Sequence, residues 1–137
     1  MTEVRLLYGT WELMTTGRAL VVVIDDDESV RESLPDLLGE FGFAAGVFSS
    51  AEEFLSSADL SRAECAIVDV AMPGMSGPDL QRRLKVLRPR LPVIFATGQR
   101  DERLRMKLLR HGAVACLFKP FSDTALLDAV RAALPDR

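Results

Sequence analysis

The chain has 137 residues, a size that fits one domain with a substantial core. Hydrophobic residues make up 48% and charged residues 27%, and the net charge of −3 gives no general attraction to nucleic acid or acidic membranes. No apolar run approaches a membrane span, and Glu3, Arg5 and Glu12 interrupt any signal-peptide core. The cysteines Cys65 and Cys116 show neither metal-ligand spacing nor a disulfide framework, so we expect a reducing cytoplasm.

Short apolar runs alternate with amphipathic helical patterns. Residues 19–24 form a continuous apolar run, which is typical of a strand buried on both faces. An apolar stripe at helical spacing follows, made of Val30, Leu34, Leu37, Leu38 and Phe41. The later strands are predicted at 43–48, 65–68, 92–96 and 114–118. The later helices are predicted from the Ser50–Glu53 capping box, at 80–87, at 101–110, and from Ser122 as N-cap.

This alternation predicts an α/β fold, with five parallel strands joined by right-handed crossovers and covered by five helices. Residues 19–134 hold the whole pattern, and 135–137 are expected to form a short tail. Residues 1–18 form an extension that carries Tyr8 and Trp11, for which a partner-binding role and a disordered terminus are both open.

Polar residues stand immediately after four of the predicted strands. They are Asp25, Asp26 and Asp27 after the first, Asp69 after the third, Thr97 after the fourth and Lys119 after the fifth. Because parallel strands end at one edge of the sheet, we expect these side chains to converge where ligands bind such folds.

The chemistry of these residues is coherent. Clustered carboxylates repel one another, and a divalent cation such as Mg²⁺, which prefers oxygen ligands, relieves the repulsion. An ionised aspartate is a competent nucleophile toward phosphorus and gives an aspartyl phosphate. Lys119 and Thr97 can stabilise the negative charge of the phosphoryl oxygens in the transition state.

Structural explanations exist for each residue taken alone. An aspartate after a strand is usually a turn former. Ser29 and Glu32 have the spacing of a capping box, in which case Asp27 and Glu28 would serve only to stabilise the N-terminus of a helix. The joint pattern favours a functional site, because the four positions share one edge and their chemistry completes one reaction.

Four separated segments resemble the signature segments of response-regulator receiver domains. They are 24–27 (IDDD), 68–77 (VDVAMPGMSG), 96–98 (ATG) and 118–121 (FKPF). The resemblance covers residues 19–134 and implies a flavodoxin-like, doubly wound sheet of order 2-1-3-4-5. Among the members of this family, nitrogen-fixation-type regulators look most similar, through Phe43 and the segments 50–55 (SAEEFL) and 119–121 (KPF).

The resemblance also implies the roles of the site residues. Asp69 is the expected phosphoacceptor, and Asp25 and Asp26 are expected to hold Mg²⁺ together with Asp69 and the backbone carbonyl of Ala71. Mn²⁺ is expected to substitute for Mg²⁺. Thr97 matches the hydroxyl that moves onto the bound phosphoryl group.

Further positions follow from the same resemblance. Lys119 matches the family's ammonium group, and the peptide bond between Lys119 and Pro120 is expected to be cis. Ala71 and Gln99 occupy positions that tune dephosphorylation. Cys116 occupies a switch position where the family usually has an aromatic ring, which puts the usual threonine–aromatic coupling in doubt.

The resemblance implies a signalling switch and not an enzyme acting on external substrates. A histidine kinase or phosphotransfer protein would supply the phosphoryl group, and the surface of the fourth helix, fifth strand and fifth helix would change. Output would run through a downstream protein or a homodimer, without direct nucleic acid or membrane binding. The chain ends after the last helix, so we expect a stand-alone receiver or a segment of a longer regulator.

Two alternatives remain open. Residues 23–29 also look like the Asp-x-Asp motif of haloacid-dehalogenase-type phosphatases, with Asp25 as nucleophile, although only Asp123 and Asp128 follow the lysine as acidic candidates. A phosphorylation-independent binding module is the other alternative, and Cys116 is its support.

Overall fold

The computed structural model describes residues 17–135, which form one five-stranded parallel sheet. The strands are β1 (Leu20–Ile24), β2 (Ala44–Phe48), β3 (Cys65–Asp69), β4 (Val93–Thr97) and β5 (Ala115–Phe118). Their order is β2-β1-β3-β4-β5, and all four pairings are parallel, which confirms the predicted doubly wound sheet.

Six helices occur within residues 17–135, one more than the five predicted. They are α1 (Glu28–Glu40), α2 (Ala51–Leu55), α3 (Asp59–Arg62), α4 (Gly77–Leu87), α5 (Glu102–Arg110) and α6 (Asp123–Ala133). The additional helix arises because the second helical region breaks after Leu55. The hydroxyl of Ser57 donates to the carbonyl of Phe54 at 2.8 Å, and this local bond competes with continuation of the helix.

The sheet separates two apolar layers. Val21 and Val23 of β1 pack with α1 and α6, whereas Val22 and Ile24 pack with α2, α4 and α5. This alternation follows from the two-residue period of a strand. All four side chains are fully buried, as the continuous apolar run predicted.

Side-chain caps fix where the helices begin. Asp27 caps α1 by accepting from the backbone N–H of Ser29 at 2.9 Å, so the predicted capping box of Ser29 and Glu32 is wrong. Asp27 already satisfies the first free N–H of the helix. Ser122 caps α6 as predicted, with its hydroxyl accepting from Ala125 at 3.0 Å.

The structure does not describe the residues at the two ends of the chain. Residues 1–16, with Tyr8 and Trp11, and residues 136–137 lie outside the described residues, so the division into 1–18, 19–134 and 135–137 stays a prediction. Between residues 17 and 135, none of the helices has the length and apolar character needed to span a membrane.

Candidate functional site

Three carboxylates meet at the carboxyl edge of the sheet. Asp25 follows β1, Asp26 is its neighbour, and Asp69 is the last residue of β3. One oxygen from each lies within 4.8 Å of the others. Asp25 and Asp69 are only 2% and 7% exposed, whereas Asp26 is exposed to solvent. The structure therefore brings together acidic residues that are 44 positions apart in sequence.

Lys119 supplies the positive charge of this cluster. It follows β5, and its ammonium donates to Asp25 Oδ2 at 2.8 Å and lies 3.7 Å from Asp69 Oδ1. Burial opposes the charged form, but the hydrogen bond and charge of Asp25, with Asp69, outweigh it and raise the pKa of Lys119. One ammonium therefore accompanies a cluster of three carboxyl groups and reaches two of them, so acidic groups are in excess at the site.

The Asp69 carboxyl shows this excess directly. Burial, and then the negative charge of Asp25, raise the pKa of Asp69 to about 7, although Lys119 acts in the opposite direction. A divalent cation would remove the penalty for ionising Asp69. The donor set fits Mg²⁺, because it offers clustered carboxylate oxygens and one solvent-facing member, Asp26, at which water ligands can remain.

Asp25 is held firmly by its surroundings. Its Oδ1 accepts from the backbone N–H of Asp27 at 2.9 Å, so both of its carboxylate oxygens have partners. The guanidinium of Arg31, on α1, donates to the carbonyl of Asp25 at 2.8 Å. The sequence did not lead us to Arg31. Its position one turn into the helix that follows the aspartates is the feature that could have indicated this contact.

The loop between β3 and α4 carries Ala71 and is fixed at two points. The N–H of Ala71 lies 3.4 Å from Asp69 Oδ1, which ties the loop weakly to the predicted phosphoacceptor. Farther along, Glu52 Oε2 accepts from the N–H of Met75 at 3.0 Å, next to Gly74 with φ of +76°. Glu52 lies in the segment 50–55 that carried part of the family resemblance, but its contact with the loop was missed.

Gly77 brings the start of α4 against β3. Its N–H donates to the carbonyl of Val70 at 2.9 Å. A Cβ at this position would lie 2.5 Å from the backbone oxygen of Asp69 and 3.0 Å from the ring of Phe95. Only a residue without a side chain lets the helix approach the site this closely.

Thr97, Gln99 and Lys119 are linked through the ends of β4 and β5. Thr97 is buried, its hydroxyl accepts from the N–H of Gln99 at 3.1 Å, and its carbonyl accepts from the N–H of Lys119 at 2.8 Å. The peptide bond between Lys119 and Pro120 is cis. Gln99 and Ala71, the two predicted tuning positions, are both exposed.

Cys116 is a buried member of β5 and pairs in register with Phe95. Burial raises the pKa of its thiol, so the thiolate is disfavoured. On α5, Arg105 Nε donates to the carbonyl of Cys116 at 3.3 Å. A backbone contact from Arg105 therefore joins α5 to β5 at the predicted switch position.

Comparison with known proteins agrees with this geometry. The family described as response regulator receiver domain matches residues 21–131. Response regulator protein TodT of Pseudomonas putida is 41% identical over 88% of this chain and 53% of its own length. Transcriptional regulatory protein FixJ of Azorhizobium caulinodans is 42% identical over 83% of this chain and 54% of its own length. The chain thus spans about half the length of these curated relatives.

Solved structures show the same architecture. The response regulator StyR superposes with a TM-score of 0.79 at 38% identity, covering 87% of this chain and 60% of StyR. A response regulator receiver protein from Burkholderia phymatum superposes with a TM-score of 0.75 at 41% identity, covering 86% of this chain and 96% of that one. The sequence segments, the sheet order, the acidic cluster and the relatives agree. This chain belongs to the response regulator receiver domain family of two-component signal transduction.

Proposed function

We propose that this domain is a phosphorylation-dependent switch that accepts a phosphoryl group on Asp69 from a histidine kinase or a phosphotransfer protein. One observation carries the proposal: the carboxylates of Asp25, Asp26 and Asp69 converge at the carboxyl edge of the sheet, where the ammonium of Lys119 bonds to Asp25 and lies near Asp69. Such a cluster suits a reaction in which negative charge gathers on phosphoryl oxygens.

Hydrogen bonding favours Asp69 over Asp25 as the nucleophile. Both oxygens of Asp25 accept bonds of 2.8–2.9 Å, which lower the availability of their lone pairs. The N–H of Ala71 and the ammonium of Lys119 lie farther from Asp69 Oδ1, at 3.4 Å and 3.7 Å. This difference supports the receiver reaction over the haloacid-dehalogenase alternative, in which Asp25 would attack.

In the proposed reaction, an oxygen of Asp69 forms a bond to phosphorus while the bond from phosphorus to the donor's histidine nitrogen breaks. Asp25, Asp26, Asp69 and the carbonyl of Ala71 would hold Mg²⁺, which when bound supplies positive charge to the phosphoryl oxygens. Lys119 orients and neutralises the product from another strand of the sheet. The Thr97 hydroxyl, which accepts from the N–H of Gln99, would then donate its O–H to an oxygen of the phosphoryl group.

The direct test is phosphorylation by a small donor. Wild-type protein incubated with acetyl phosphate and Mg²⁺ is expected to gain one phosphoryl group in its intact mass, and Asp69→Asn is expected to gain none. Chelation of Mg²⁺ should prevent the gain in wild type, with Mn²⁺ restoring it.

Two further variants make the result decisive. Asp128→Asn changes an exposed aspartate on α6 and should be phosphorylated like wild type. Phosphatase turnover lost only in Asp25→Asn would instead establish the dehalogenase-type reaction. No adduct in any variant would leave a phosphorylation-independent binding module.

Replacement of Lys119 separates metal binding from phosphoryl transfer. In Lys119→Ala, Mg²⁺ binding should persist, because the carboxylates remain and the ammonium no longer competes for Asp25. Phosphorylation should slow about a hundredfold, since one charge-stabilising donor is lost. Calorimetric titration with Mg²⁺ and the rate of adduct formation measure the two effects, with exposed Lys85→Ala as control.

The proposed output is a change on the surface formed by α5, β5 and α6, which would control a downstream protein or a homodimer. The contact from Arg105 to the carbonyl of Cys116 lies on this surface and can transmit a shift of α5 to β5 without an aromatic side chain. Hydrogen exchange with and without acetyl phosphate should detect the change in wild type, and should detect none in Lys119→Ala after comparable phosphorylation.

A further inference from the structure

Charge is strongly segregated along this chain. The segment 77–112, which contains α4 and α5, holds ten of the 17 Lys and Arg residues but only three of the 20 Asp and Glu residues. The remainder therefore carries seven basic and 17 acidic residues. A chain with an acidic balance thus has one basic segment, and seven of its ten basic residues lie on α4 and α5.

Three basic residues of α4 and α5, Arg82, Lys85 and Lys107, line a cleft between the two helices. Its volume is about 100 Å³, and it is lined by Pro78, Gln81, Arg82, Lys85, Leu104, Lys107, Leu108 and His111. None of these residues is acidic. The space holds roughly three water molecules by volume, which is comparable with one aliphatic side chain.

The cations at the rim are available to a ligand. Within residues 17–135, the ammonium groups of Lys85 and Lys107 form no ion pair, whereas Arg82 is paired with Asp79. His111 also lines the cleft, with Nδ1 2.8 Å from the carbonyl of Lys107. Two unpaired ammonium groups on facing helices favour a bound anion.

The cleft also contains a hydrogen-bond acceptor, in contrast to the cationic donors of Lys85 and Lys107. Gln81 is only 7% exposed, and its amide nitrogen donates to the carbonyl of His111 at 3.3 Å. No donor among residues 17–135 contacts its amide oxygen. A buried acceptor without a partner is costly, and a ligand carrying an N–H or O–H group would satisfy it.

The apolar part of the surface continues beyond the cleft. Arg82 also lines a second groove with Val86 and Leu87, which are 81% and 46% exposed. Asp79, the partner of Arg82, also lines this groove, and so does the exposed Arg83, which forms no ion pair within residues 17–135. Apolar side chains beside such an unpaired charge are typical of sites where another protein binds.

We propose that the α4–α5 cleft, with the adjoining groove of Val86 and Leu87, binds an acidic amphipathic segment of a partner protein. Carboxylates of the segment would pair with Lys85 and Lys107, an apolar side chain would enter the cleft, and a polar N–H would reach Gln81. An extended nucleic acid fits less well, because it would run from the basic face onto the acidic remainder of the domain. This site is separate from the phosphorylation site and does not depend on the proposed phosphoryl transfer.

The test is binding of a fluorescein-labelled peptide built from Glu and Leu at helical spacing, followed by fluorescence anisotropy. The full chain is expected to bind it, and a matched peptide with Gln in place of Glu should bind about tenfold more weakly. The double variant Lys85→Glu, Lys107→Glu should also lose about tenfold in affinity. Circular dichroism confirms that the variants are folded.

The double variant Arg90→Glu, Arg103→Glu is the matched control. It changes the net charge equally at exposed positions that do not line the cleft, so its affinity should stay close to that of wild type. Equal loss in both double variants, or no peptide binding by wild type, overturns the proposal. Tighter binding of a labelled single-stranded oligonucleotide than of the acidic peptide also overturns the proposal. So does release of the bound peptide when the chain is concentrated and associates with itself.

Discussion

Gly77→Ala is expected to lower the free energy of unfolding by about 3 kcal/mol. The added methyl carbon would lie 2.5 Å from the backbone oxygen of Asp69 and 3.0 Å from both the Phe95 ring and the Cα of Val70. Two of these three neighbours are backbone atoms and cannot rotate away. The helix α4 must therefore move back from β3, which also displaces the residue proposed to accept the phosphoryl group.

Urea unfolding and acetyl phosphate labelling measure the two consequences together, because both stability and the yield of phosphorylated protein should fall. Gly39→Ala is the matched control. Gly39 lies inside α1 and a Cβ there would have no neighbour within 4 Å, so this variant should gain about 0.5–1 kcal/mol from helix propensity. Similar stability of the two alanine variants would show that α4 does not pack closely against the site.

Asp69→Asn is expected to be more stable than wild type by about 2 kcal/mol at pH 8 in the absence of divalent cations. The folded protein raises the pKa of Asp69 from 3.8 to about 7, through burial and then the charge of Asp25. The folded state thus binds a proton more tightly than the unfolded state. Wild-type stability must then fall as pH rises from about 4 to about 7, and the asparagine variant lacks this contribution.

Chemical denaturation with a chelator at pH 4, 6 and 8 tests this prediction. The gain of Asp69→Asn should disappear toward pH 4, where the folded-state carboxyl is protonated and the unfolded-state carboxyl largely so. Added Mg²⁺ should stabilise wild type and reduce the difference at pH 8. Asp128→Asn, at an exposed position, should show no such pH dependence. A gain of equal size at all three pH values would contradict ionisation of the buried carboxyl as its origin.

The sequence was sufficient to predict the sheet and the cluster of charged groups. Parallel strands end at one edge, so Asp25, Asp69 and Lys119 had to lie near one another once the alternation of strands and helices was recognised. The family resemblance added the strand order, which periodicity alone does not determine. Relatives and solved structures confirm the family and the fold.

Contacts that depend on the path of a loop could not be predicted. The hydrogen bond that the N–H of Met75 donates to Glu52 joins residues 23 positions apart, and no residue pattern signals it. Helical spacing was also an incomplete guide to burial on α4. Leu87 continues the helical spacing of Leu80 and Leu84, yet Leu87 is half-exposed while the polar Gln81 is buried, where its amide donates to the carbonyl of His111 after α5.

The position of β1 in the sheet has a mechanical consequence for the charged cluster. β1 is paired on both sides and β3 is its interior neighbour, whereas β5 is an outer strand with a single partner. The acidic groups thus stand at the ends of strands with partners on both sides, and the ammonium of Lys119 follows an outer strand. Local opening of β5 would move the ammonium of Lys119 away while the carboxylates stayed in place. Motion of this one outer strand would therefore change the net charge of the site.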